Sequence, residues 1–92
     1  MEQMIRTGFV GIIVEQKDRI EEVNRILSLY SEMIQGRIGV PNHEDKTAVI
    51  GIIVQGTNDQ VGALTGKLGN VPGITVKSAL SSKTKGKGET EK

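Results

Sequence analysis

Ninety-two residues with no cysteine and a formal net charge of +1 describe one small domain with no disulfide framework, thiolate metal site or cysteine-bound iron–sulfur cluster. Residues 81–92 hold four lysines and two glutamates, so that segment carries +2 and residues 1–80 carry −1, too weak a positive field to grip a phosphate backbone. No apolar run approaches the ~20 residues of a membrane helix and no signal-peptide pattern opens the chain, so a cytoplasmic location is expected.

Phe9–Val14 (FVGIIV) is β-rich and bounded by polar residues, which predicts a first strand. The period then changes. Ile20, Val23, Leu27 and Tyr30, with Ile26 beside them, recur at helical spacing, and Asp18 with Glu21 has the form of a capping box. MIQGRIGVP returns to period two, with Ile34, Ile38 and Val40 on one side and Gln35, Arg37 and Gly39 on the other, until Pro41 ends the strand. NHEDK makes a turn, and Thr47–Val54 (TAVIGIIV) is the third strand. Thr57 with Gln60 can cap a second helix carrying Val61, Leu64 and Leu68, and Gly69 suits its left-handed C-terminal cap. Pro72–Leu80 (PGITVKSAL) supplies the fourth strand, with Ile74, Val76 and Leu80 facing one way.

The order β-α-β-β-α-β, with VGIIVEQ at Val10 echoed by IGIIVQG at Ile50, predicts an α+β, ferredoxin-like sandwich. Right-handed crossovers put both helices on one face of a four-stranded antiparallel sheet, with strands one and three central. The domain is expected over residues 8–80, and residues 81–92, devoid of apolar side chains, read as a disordered polar tail.

Even-numbered strand positions are almost all apolar and must face the helices. Odd positions are polar on the edges (Gln35 and Arg37, Thr75 and Lys77) but read Phe9-Gly11-Ile13 and Val49-Gly51-Ile53 at the centre. That predicts an apolar stripe on the open face, the mark of an oligomer interface formed by Phe9, Ile13, Val49 and Ile53. Gly11 and Gly51 fall at equivalent points of adjacent strands. Three readings stand: close approach of a second subunit's sheet, a ligand held between subunits, or an echo of duplication.

Several chemistries are excluded by what is missing. RNA-recognition domains stack bases on central-strand aromatics, and Phe9 is the only phenylalanine here. Arg19 follows the first strand without the glycines that would open an anion cradle. His43, the single histidine, sits with Glu44 and Asp45 in a polar turn, a weak metal set and no catalytic one. No catalytic residue, metal or cofactor is therefore expected. Arg37, in GRIG, either blunts an edge strand, bridges to a partner subunit or clamps a carboxylate ligand. Gly62 and Gly66, four apart on the second helix, permit close approach of the first helix, another backbone or a ligand. The first helix is too polar and too acidic at its start for a membrane surface.

VGIIVE, GRIGVP and ALTGKLGNVPGITVKSAL together resemble a family of small proteins named as regulators of the iron-only hydrogenase system, over about Phe9 to Leu80. The family is itself similar to ACT domains and to the C-terminal ligand-sensing domain of the nickel-responsive regulator. The resemblance implies an ACT-like homo-oligomer, a dimer or tetramer, tied to hydrogenase expression or maturation. DNA and nickel binding do not carry over: only about eight residues precede the first strand, and His43 stands alone where the nickel site uses several histidines and a cysteine. ACT domains often place a glycine in the first strand–helix loop, where this chain has Glu15, Gln16, Lys17 and Asp18. The expectation is a non-catalytic regulatory or ligand-sensing module, its effector held between subunits near Gly11, Gly51, Arg37, Gly62 and Gly66. The alternative is an oligomeric adaptor that docks a regulatory or maturation protein without any small ligand.

Overall fold

A computed structural model describes residues 4–42 and 47–81. The elements are β1 (Arg6–Val14), a 3-10 turn (Lys17–Arg19), α1 (Ile20–Leu29), a second 3-10 turn (Ser31–Met33), β2 (Ile34–Asn42), β3 (Thr47–Gly56), α2 (Asn58–Gly69) and β4 (Ile74–Leu80). The strands form one sheet in the order β2-β3-β1-β4, and every neighbouring pair is antiparallel. This is the expected ferredoxin-like β-α-β-β-α-β sandwich. The turn over residues 43–46 and the tail beyond residue 81 lie outside the described residues.

Period-two burial on the central strands builds the core. Val10, Ile12 and Val14 of β1 and Ile50, Ile52 and Val54 of β3 are buried, and Val23, Ile26 and Leu27 of α1 with Val61, Leu64 and Leu68 of α2 close over them. Ile74, Val76 and Leu80 of β4 pack against the rim of this cluster, as their spacing predicts. No polar or charged residue is buried among the described residues.

Strand β1 begins at Arg6 rather than Phe9, because Arg6, Thr7 and Gly8 continue the ladder opposite Gly56, Gln55 and Val54. Arg6 also ties three ends together. Its Nε and Nη2 donate to the Ser81 carbonyl at 2.9 and 2.7 Å, and its Nη1 donates to Asn58 Oδ1 at 3.1 Å, at the start of α2. A charged residue at a strand's beginning carries no period-two signal, so the sequence pattern passes over it.

The two helix starts differ. In α2 the capping box forms as expected: Gln60 N donates to Thr57 Oγ1 at 3.1 Å, and Thr57 N donates to Gln60 Oε1 at 2.9 Å. In α1 the Asp18–Glu21 box does not form. The chain enters through a 3-10 turn, so the N-cap is Arg19 in right-handed conformation (φ −95°, ψ −3°) instead of the extended backbone a side-chain cap requires. Arg19 instead pairs with Glu22 at 3.4 Å.

At the end of α2, Gly69 is the last helical residue and not a left-handed cap. Asn70 follows in right-handed geometry (φ −83°) and donates to the Gly66 and Lys67 carbonyls, which carries Val71 into the core. The left-handed residue comes later, at Gly73 (φ 77°), so Pro72 and Gly73 form the turn and β4 starts at Ile74. The Gly73 carbonyl accepts from Glu15 N at 2.8 Å, which fixes this turn against the end of β1.

The largest departure lies in β2. A bulge between Ile34 and Gly36 inserts one residue. Ile34 faces the core opposite Val54, but beyond the bulge Arg37 stands opposite buried Ile52, while Ile38 and Val40 stand opposite Gly51 and Val49. Directly paired residues share a face, so one extra residue exchanges the two faces for the rest of the strand. Ile38 and Val40 therefore point to the open side, 66% and 59% exposed, and Arg37 turns toward the helices.

Candidate functional site

The central ladder places Gly11 opposite Gly51, so the two glycines are neighbours in the middle of the open face. What comes close to them is a side chain of the same protein. Phe9, one step along β1 on the same face, lays its ring over the gap. A Cβ added at Gly51 would lie 2.8 Å from ring atoms Cε1 and Cζ, and one at Gly11 would lie 3.4 Å from Cε2. An aromatic packed across bare backbone recovers contact that glycine leaves empty in a strand. Within the protomer, the space over Gly51 is filled by Phe9.

Around that ring the face is apolar. Phe9, Ile13, Val49 and Ile53 are exposed, as the alternation predicts. Ile38 and Val40 join them from β2, so the patch covers three strands and runs out to one edge of the sheet. Alternation alone missed these two because it had no way to insert a residue. The signal was present in QGRIGV, since glycine within a strand often marks a bulge. On the other side the patch stops at β4, where Thr75, Lys77 and Ala79 stand opposite Ile13, Gly11 and Phe9. Thr7 and Gln55, facing each other across the ladder, make a polar end to the patch, Gln55 Nε2 donating to Thr7 Oγ1 at 3.3 Å.

The remaining site candidates lie elsewhere. Arg37 is on the helix side of β2, where its Nη2 donates to Asn24 Oδ1 of α1. It lines a pocket of about 240 Å3 with Leu27, Ser28, Ser31 and Ile34. Gly62 and Gly66 sit on the exposed side of α2, and a Cβ at either position would meet nothing within 4 Å. They do not bring α1 close. With Thr65 and Gly69 they form one wall of an open groove of about 560 Å3 whose other wall is Ile74–Ser78 of β4. Within one protomer the five ligand-site candidates therefore occupy three places: Gly11 and Gly51 on the open face, Arg37 beside α1, and Gly62 and Gly66 outside α2.

His43, Glu44 and Asp45 fall outside the described residues. Among the described residues no three histidine, aspartate or glutamate side chains gather in a way that would hold a metal ion, and no helix is long and apolar enough to cross a membrane.

The fold and sequence have relatives. The uncharacterized protein TM1266 from Thermotoga maritima is 35% identical, with a TM-score of 0.79 over 83% of this chain and 96% of its own. An unknown protein from Galdieria sulphuraria is similar in fold at 12% identity and a TM-score of 0.59, over 86% of this chain and 46% of that one. The apo form of CPII from Thiomonas intermedia K12, a nitrogen regulatory PII-like protein, shares the fold at 18% identity and a TM-score of 0.51, over 84% of this chain and 94% of that one. No curated protein matches the sequence. Residues 6–78 match the family model "TM1266-like: Iron-only hydrogenase system regulator, putative". That match begins at Arg6, where β1 begins, and ends within β4, so it reaches all four strands. The chain belongs to the TM1266-like family, described as regulators of the iron-only hydrogenase system.

Proposed function

We propose that the protein is a non-catalytic regulatory module of the iron-only hydrogenase system that works by self-association through its open sheet face. The observation that carries this reading is the patch itself: all six of its large apolar side chains are at least a third exposed, on one face of three adjacent strands. Their exposures add up to about three whole side chains per protomer. Covering them in a two-fold pair is worth ~9–18 kcal/mol gross as an upper bound. Association itself costs ~4–15 kcal/mol, so only the surplus over that cost would show as affinity. Thr75 and Lys77 of β4 and the Thr7–Gln55 pair give the patch polar borders on two sides. A face already closed by Phe9 over Gly51 favours sheet-to-sheet contact over a small molecule seated on the glycine pair. An effector would act by binding the assembled and dissociated states with different affinity. The chain's lack of cysteine suits a reducing cytoplasm.

Sedimentation equilibrium of the full chain between about 1 and 100 µM tests the assembly. A dimer or tetramer that Ile53→Lys converts to monomer is the expected result. A wild type that stays monomeric throughout removes the self-association and directs the patch to a different protein. The regulatory role is tested separately, in a host bearing the hydrogenase, where the Ile53→Lys allele should change hydrogenase level as deletion does.

A further inference from the structure

The bulge in β2 does more than expose two apolar residues. It turns Arg37 into a pocket between the last turn of α1 and the sheet edge. Leu27, buried, and Ile34, half-buried, make an apolar floor, and the exposed Ser28 and Ser31 stand with Arg37 around it. No carboxylate lines the pocket. Asn24 accepts from Nη2 and so holds the guanidinium plane, while Nε and Nη1 have no partner among the described residues.

We propose that this pocket binds a small monocarboxylate with a short branched apolar chain, a site separate from the sheet face. Nη2 carries a second hydrogen besides the one given to Asn24, and that hydrogen, with its neighbour on Nε or Nη1, forms an edge that matches a carboxylate through two parallel hydrogen bonds; the serine hydroxyls supply further donors. The alkyl part rests on Leu27 and Ile34. The volume, about 240 Å3, lies below the ~300–1,000 Å3 of pockets for drug-sized ligands, which favours a small ligand. An inorganic phosphate fits the arginine but leaves the apolar floor unused. A purely structural Arg37 would only complement the negative end of α1, and this competing role makes a different prediction.

The test is a heteronuclear NMR titration of the 15N-labelled full chain with sodium 3-methylbutanoate, against sodium chloride at matched ionic strength. Saturable shifts at Arg37 Nε–H and the Ser28 and Ser31 amides are expected, weakened at least about tenfold in Arg37→Lys and lost in Arg37→Gln. Equal shifts from chloride, undiminished binding by Arg37→Gln, or no saturable shift in wild type would overturn the site. Equal affinity for inorganic phosphate would overturn the monocarboxylate assignment. Because Arg37 does not face the open sheet, Arg37→Gln should keep the wild-type mass in sedimentation. Binding without assembly would defeat only the sheet-face reading, and assembly without binding only this one.

Discussion

Ile38→Lys separates the bulged register from simple alternation and also measures the interface. Ile38 is 66% exposed, so about two-thirds of its side chain remains to be buried by a partner. Full burial of an isoleucine is worth ~1.5–3 kcal/mol, which leaves ~1–2 kcal/mol per copy. A two-fold interface contains the residue twice, so the substitution removes ~2–4 kcal/mol and weakens association about 30- to 700-fold. Within the protomer the lysine remains in water, and the cost stays within ~0.5 kcal/mol, a change of at most ~2–4 °C in melting temperature. Thermal melts at a concentration where wild type and variant are both monomeric read the second quantity, and sedimentation reads the first. Under strict alternation Ile38 would face the core, and the same lysine would bury a charge at a cost of several kcal/mol. A melting temperature lowered by more than ~10 °C with an unchanged association constant would refute both the register and the interface.

Three further outcomes follow from single contacts. Thr57→Ala removes one half of the only side-chain helix cap found among the described residues and should cost ~1 kcal/mol, or ~4–8 °C, in a melt. Gly51→Ala pushes a methyl into the Phe9 ring and should destabilise the wild type, yet be neutral or stabilising by ~0.5–1 kcal/mol in a Phe9→Ala background, where only the strand's aversion to glycine remains; a double-mutant cycle with no coupling would dismiss the ring contact. Gly73→Ala places a side chain at φ 77° and 2.7 Å from Gln16, and should cost at least ~1–2 kcal/mol in chemical denaturation with an unchanged slope.

Much of this protein follows from local pattern. Period-two runs at Val10–Val14 and Ile50–Val54 and helical spacing at Ile20–Leu27 determine the elements and their order, because each must bury one face. The right-handed crossover then leaves one topology. The Thr57–Gln60 cap is equally local, since both partners lie within one turn. The central members of the candidate interface, Phe9, Ile13, Val49 and Ile53, are legible for the same reason: they occupy the odd positions of two central strands.

Other features depend on partners distant in sequence. Whether β2 keeps its alternation is settled by its fit to β3, and the bulge at Ile34–Gly36 hands Ile38 and Val40 to the open face and Arg37 to α1. A one-residue slip leaves the composition of a strand unchanged while reversing every side chain beyond it, so sequence spacing cannot record it. The space above Gly51 is likewise filled by a residue forty-two positions earlier, brought there only by strand pairing. Gly73, not Gly69, takes the left-handed turn because Val71 must first reach the core. The sequence by itself determined which residues seek burial and in what order the elements come. The tertiary structure decided which of two faces each residue past the bulge presents, because that choice is made by the partner strand.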